Sequence, residues 1–484
     1  MHKEIEAMAL RGLKEIGAEG VSIAVVKDGE TLLAESYGFA DRDNKVKLTS
    51  EFALPIGSSS KAFTATGVMM LASDGKLDID KPVRDYMPRF ALDDPETRDV
   101  TARDLLCHRT GLPRHDLFWI TWPDVDRDDL VYNRHRYLKA NKPFRSKWEY
   151  NNHMFAAAGK LIEEVSGMSW EEFTRERIFA PLGMKSSFFW QDERSDIKQP
   201  VFYKDQGRRR VPCESEKATA LGPAGAIRAS ITDMAQWLKF NLAKGKVGDE
   251  ALLDEASFSQ LWKSNISYEL LPFSIPEVIP MGYGLGWFLN SYRGELNVEH
   301  GGNVSGATSA VSMLPDKGIG VVVLTNQESS VLGYALTSMI QDILLERKCD
   351  TDWIKFYKEA FENLKKAQEE QLAALRFTVP GKPMTHDGAA YAGKYEHSGY
   401  GEISVIYNGR KKDKLSIDIH GNVFPLIHMH YDVFRFETRE IPIPVNFRTD
   451  TKGGISSVEI NMEMSLPEAI SYKRVPEPEE KQEV

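Results

Sequence analysis

Ser58-Ser59-Ser60-Lys61 sets a hydroxyl and an amine three residues apart. Phe63, Val68, Met69, Met70 and Leu71 follow, an apolar series dense enough for a buried helix. Ser73-Asp74-Gly75 then carries the signal that ends one. Residues i and i+3 share a helix face, so the Lys61 amine is placed beside the Ser58 hydroxyl. A serine hydroxyl is a weak nucleophile until a base takes its proton. Ser58 falls in the first helical turn, where free N–H groups and the positive dipole end favour developing negative charge. Two further Ser-x-x-Lys matches lack that setting. Ser73/Lys76 lies at the end of the same helix, and Ser195/Lys198 in the charged loop Asp192-Glu193-Arg194-Ser195-Asp196.

Outward from this helix, residues 3–17 read as an amphipathic helix, with Ile5, Met8 and Ile16 among its apolar positions. Val21–Val26 and Thr31–Ala34 read as two strands around Asp28-Gly29. A mostly helical stretch runs from about 60 to 270. Strand patterns return at Ala307–Leu314 and Gly320–Thr325, and a helix follows near 332–346. Strands at both ends with helices between predict one α+β domain over residues 1–348, the early hairpin pairing with late strands. A charged helical connector is expected over 349–384, a small all-β domain over 385–476, and a disordered tail over 477–484. Glu402–Tyr407, Leu415–Ile419, Leu426–Phe436 and Ser457–Met462 alternate in the strand manner. His428 and His430 would share one strand face. A strand with one polar face explains them better than a metal pair does.

A serine that transfers acyl groups needs a base, a proton donor for the leaving atom and an oxyanion site. Tyr150-Asn151-Asn152 is the only Tyr-x-Asn in the chain, and it opens a helical run through Ala156–Ile162. A Lys61 ammonium nearby would lower the Tyr150 phenol pKa, and Asn152 would hold Lys61 and a substrate amide. His300-Gly301-Gly302-Asn303 precedes a strand, where glycine allows close backbone approach. The N–H groups of Asn303 and Ser58 would then form the oxyanion site.

These three elements come in the order Ser-x-x-Lys, Tyr-x-Asn, His-x-Gly, 92 and then 150 residues apart. That set resembles the class C β-lactamase and D-alanyl-D-alanine carboxypeptidase-like serine hydrolases. Thr101–Leu112, Phe179–Met184, Pro223-Ala224-Gly225 and Gly282–Trp287 also match the family's wording. The resemblance covers about residues 5–345, and the β-rich C-terminal segment is similar to the lipocalin-like barrel that some members carry. It implies a β-lactamase/transpeptidase-like fold: an antiparallel sheet with a helical subdomain, followed by a small β-barrel. It also implies Ser58 as acylated nucleophile, Lys61 and Tyr150 as general base and acid, and Asn152, His300, Gly302 and Asn303 as substrate-binding residues. No metal or organic cofactor is implied. Many family β-lactamases have lysine where this chain has His300, and a histidine is only partly charged near neutrality. The expected substrates are therefore D-amino-acid-type peptides or amides, then esters, then β-lactams. Acyl transfer to an alcohol or amine, and a non-catalytic sensor of peptidoglycan-like ligands, are the alternatives.

The net charge of −10 argues against nucleic-acid or membrane-surface partners, and Arg208-Arg209-Arg210 is one short basic run. The partner expected is a small molecule or peptide, with a homo-oligomer possible through the C-terminal domain. That domain would cover the active-site cleft or mediate assembly. Cys107, Cys213 and Cys349 are too far apart in sequence for a disulfide framework or a zinc site. The N-terminus lacks the pattern of a signal peptide and no apolar run reaches spanning length, which predicts a cytoplasmic protein.

Overall fold

The computed structural model describes residues 1–476 apart from 208, 216, 270–272, 348–349 and 410–414. Arg208, Cys349, the 348/349 boundary and the tail 477–484 thus lie outside the described residues. The N-terminal part is built on an eight-stranded sheet. Its order is Val278–Tyr283, Phe288–Tyr292, Glu295–Val304, Ala307–Leu314, Ile319–Thr325, Gly20–Lys27, Glu30–Asp41 and Val46–Lys47. Every neighbouring pair is antiparallel. The early hairpin joins the late strands through Val21↔Thr325 to Lys27↔Ile319, as the sequence predicts.

The central strands are apolar along their whole length because both faces are covered. Val21, Ile23 and Val25, with Val321 and Val323, pack on helices His2–Glu15 and Leu332–Leu344 and on Trp353. The alternate residues Ala24 and Val26, with Val322 and Leu324, face the helical half. Helix Ser60–Ser73 lies in that half and is buried all round from Ser60 to Leu71. Helix Trp353–Ala374 buries Trp353, Ile354 and Tyr357 at its start and leads out to the C-terminal part.

That part is a closed barrel of eight antiparallel strands in sequence order, from Gly393–His397 to Ile470–Arg474. Rings fill its interior: Tyr391 lies 5.5 Å from Phe434 and 4.9 Å from Phe447. A barrel of this strand number is just wide enough to be packed by side chains. The ladder shifts register between His428 and His430, which breaks the shared face expected of the two imidazoles. His428 donates from Nε2 to the Tyr431 carbonyl at 2.9 Å, within the hairpin. One apolar cluster runs without a break from the helical half into the barrel interior.

Candidate active site

Ser58 stands in a 3₁₀ turn, Gly57–Ser59, that leads into helix Ser60–Ser73. Gly57 has φ +51°, in the left-handed region open to glycine at little cost. The neighbouring serines are structural. Ser59 Oγ donates to the His300 carbonyl at 3.1 Å, and Ser60 Oγ accepts from Ile227 N–H at 3.2 Å. Together they fasten the turn between two strands and leave Ser58 facing a cavity of about 190 Å³.

Lys61 is fully buried. Its Nζ lies 3.0 Å from Ser58 Oγ, 2.8 Å from Asn152 Oδ1 and 3.0 Å from the Ala224 carbonyl. Burial, then the Arg114 guanidinium, lower its pKa well below the usual lysine value. A neutral amine suits this geometry. Its two N–H groups go to the two carbonyl oxygens, and its lone pair is left for the Ser58 hydroxyl. The Pro223-Ala224-Gly225 stretch thus has a local task, since the Pro223 carbonyl also accepts from Thr64 Oγ1 at 2.7 Å.

Tyr150 and Asn152 precede rather than open their helix, which spans His153–Ser166. Asn151 caps it, Oδ1 accepting from Met154 N–H at 3.0 Å. Asn152 is thereby released to bind Lys61 through Oδ1 and Asp116 through Nδ2, the latter at 3.1 Å. Tyr150 shares a hydrogen bond with Ser58. The expectation of an acidified phenol is corrected. Burial pushes the Tyr150 pKa up to about 12, over the opposing pull of Arg114 and of the Ser58 bond. The charges that act on the phenol are those of Arg114 and Asp116, and Lys61 is not among them.

His300, too, differs from the sequence reading. Its ring is only 2% exposed. Nδ1 lies 2.6 Å from the Gly301 carbonyl and must donate to it, so Nε2 accepts from the Tyr283 hydroxyl at 3.1 Å. Burial, then Lys61, drive its pKa down to about 3, so the imidazole is neutral and presents no cation to the cavity. The strand Glu295–Val304 is third in the sheet, not at its edge. On one side, however, its pairing stops at Phe288↔Glu299, so residues 300–304 form an edge locally. Gly302 lets that edge meet the nucleophile turn: a Cβ there would stand 1.9 Å from the Ile56 carbonyl and 2.8 Å from Ser58 N. A Cβ on Gly57 would meet Asn303 N at 3.0 Å. The backbones of Ser58 and Asn303 therefore face each other across the cleft.

The two other Ser-x-x-Lys matches assemble nothing. Ser73 accepts from Asp254 N–H at 3.4 Å, and Lys198 pairs with Glu51 at 2.5 Å on the surface. Several residues at the site escape sequence reading. Arg114 donates to Asp116 at 2.5 Å and lies 4.9 Å from the Tyr150 ring centre. Asp116 also accepts from Trp119 Nε1 at 2.9 Å. The charged run Arg114-His115-Asp116, directly after Gly111-Leu112-Pro113, is the signal that would have found them. Nothing local marks Arg439, which reaches the same cavity from the barrel.

A family model described as Beta-lactamase matches residues 5–340, and one described as a domain of unknown function, DUF3471, matches residues 378–472. The chain is 28% identical over 475 residues to unguisins hydrolase ungD' of Aspergillus campestris, covering 92% of this chain and 87% of that one. The octameric penicillin-binding protein homologue from Pyrococcus abyssi superposes with a TM-score of 0.63 at 23% identity, over 95% of this chain and 97% of its own. The D-amino acid amidase from Ochrobactrum anthropi SV3 gives 0.59 at 22%, over 72% and 99%. Among the described residues, no helix is long and apolar enough to cross a membrane.

Proposed function

The chain belongs to the β-lactamase family and is a serine hydrolase, and from that premise we propose that Ser58 is its nucleophile, with Lys61 as base and Tyr150 as acid. The carrying observation is the buried Lys61 amine 3.0 Å from Ser58 Oγ, its other two contacts being carbonyl acceptors. Ser58 Oγ attacks an amide or ester carbonyl as its proton passes to Lys61 Nζ. The oxyanion is held by the N–H groups of Ser58 and Asn303. Tyr150 protonates the leaving nitrogen or oxygen and recovers a proton from Lys61. Water then attacks the acyl-enzyme, gives a proton to the same pair, and Ser58 regains its hydrogen.

The substrate class proposed is a D-amino-acid-type peptide or amide, or a small ester, ahead of a β-lactam. The neutral, enclosed His300 supports this order, because it gives no fixed cation for a β-lactam carboxylate. The names of the relatives, an unguisins hydrolase and a D-amino acid amidase, point the same way. Lys61 and Tyr150 converging on one hydroxyl favour catalysis over a sensor role. Labelling with a fluorophosphonate and with a penicillin, read by mass spectrometry, tests the proposal. The expected result is fluorophosphonate on Ser58, slow or absent penicillin adduct, and no label in Ser58→Ala. A label elsewhere, or none on active protein, overturns the assignment.

A further inference from the structure

Resting on that reading, we propose that His108 is a positioning residue for the acid: it holds the Tyr150 phenol where the leaving group departs. Residues 148–152 belong to no helix or strand, so no regular ladder of hydrogen bonds fixes this segment. His108 supplies bonds on both sides of the phenol. Its carbonyl accepts from Glu149 N–H at 2.9 Å, and its ring Nδ1 accepts from Asn151 N–H at 3.1 Å. The N–H groups immediately before and after Tyr150 thus end on one residue. The same imidazole packs against the phenol, with ring centres 4.4 Å apart. Asp104 ties the two segments together again, accepting from Arg109 at 2.5 Å and from Arg145 at 2.7 Å.

The backbone at His108 favours a different residue. His108 follows Cys107, the C-cap of helix Ala102–Leu106. Arg109 N–H returns to the Asp104 carbonyl at 3.3 Å and closes the helix end. Glycine is the common residue in the left-handed position between them, and His108 takes it with φ +60°. Its side chain is fully buried. A residue held against local preference in this way is the pattern of functional positions.

An amide donor on Nδ1 sets the tautomer, so the ring is neutral with its proton on Nε2. Among the described residues Nε2 has no hydrogen-bond partner. Tyr283 and Phe155 enclose the ring, at 5.0 and 5.2 Å between centres. An apolar ring would fill this space without leaving a donor unpaired, and an unpaired buried donor is costly. What histidine adds is the Nδ1 acceptor for the acid's segment. Burial, then Lys61, His300 and Arg114, hold its pKa well below the ordinary value, which keeps that acceptor available.

The test compares kcat/KM for the p-nitrophenyl and ethyl esters of N-acetyl-D-alanine in full-length protein. Both pass through one acyl-enzyme, so their ratio isolates departure of the alcohol. p-Nitrophenolate leaves unaided, whereas ethoxide needs the Tyr150 proton. His108→Phe keeps a ring and removes the acceptor. It should lower kcat/KM for the ethyl ester about 10²-fold, the effect of misplacing the acid by roughly 1 Å, and change the p-nitrophenyl ester little. His108→Asn restores an acceptor, suits a left-handed backbone and should recover most of the loss. Equal losses on both esters overturn the proposal, because they mark a packing role alone. So does a His108→Asn enzyme no better than His108→Phe. Nitrogen NMR of the native protein needs no variant activity: His108 should carry its proton on Nε2, and a proton on Nδ1 overturns the clamp. Tyr150→Phe, measured in parallel, separates the inference from the mechanism beneath it. If Tyr150→Phe leaves the ratio unchanged, the acid assignment fails. If Tyr150→Phe shifts the ratio and His108→Phe does not, the role of His108 alone fails.

Discussion

In the proposed mechanism Lys61 is the residue on which the chemistry turns, because burial lowers its pKa well below that of a surface lysine and so favours the free amine. Lys61→Ala should therefore lower kcat roughly 10³- to 10⁴-fold with the fold intact, and Tyr150→Phe by at least about 10². Circular dichroism alongside steady-state kinetics checks both. The pH dependence has a definite sign. The base must be unprotonated, so kcat/KM falls as pH drops through the depressed Lys61 pKa. The phenol keeps its proton up to about 12, so no alkaline limb from Tyr150 is expected at ordinary pH. An acid limb at or above the usual lysine value would sink this account. His300→Lys should not create a β-lactamase. The new ammonium would be buried against the Tyr283 hydroxyl, at a cost of about 3 kcal/mol or more, visible as a lower melting temperature.

At the scale of elements, the site is a seam between the nucleophile turn and the locally unpaired end of strand Glu295–Val304. Gly302→Ala drives a Cβ into the Ile56 carbonyl and should abolish Ser58 labelling while destabilising on the order of 2 kcal/mol. Labelling at the native rate would refute the seam. A second seam joins the helical segment 114–141 to the barrel and buries three imidazoles, His115, His135 and His153. Burial lowers all three pKa values, His153 to about 4, although Asp116 pulls the other way on His115 and His153 and Glu463 on His115. In each case the unfolded chain, near 6.5, binds a proton that the folded chain refuses. Stability should then be full above about 6.5 and drain away as pH falls toward 4, with His153 alone contributing about 3 kcal/mol. Urea midpoints across that range test it. A flat profile would mean that the rings are hydrated.

For the whole molecule, the barrel and the hydrolase half behave as one packed body. Glu463 and Tyr400 of the barrel hold His115, the next residue Asp116 holds Asn152, and Asn152 holds Lys61. A chain ending at residue 380 would uncover Phe118 and Trp122 and release this line of contacts. It should elute as aggregate on size exclusion and lose Ser58 labelling, whereas a monomeric, labelled truncation would show the barrel to be dispensable.

The sequence alone determined the sheet-forming ends, the buried helix after Ser58 and the ordered set of Ser58, Lys61, Tyr150, Asn152 and His300. These rest on short-range periodicity and on residue types at fixed spacing, which a linear chain displays. Burial is not displayed in that way. Whether Lys61 carries a charge, whether His300 faces a substrate or Tyr283, and whether Asn151 or Asn152 caps the helix depend on what packs around each group. The tertiary structure decided those points. It also decided that Arg439, from a hairpin turn of the barrel, stands in the same cavity as Ser58. Desolvation and long-range apposition are properties of the folded chain, and no spacing within the sequence encodes them.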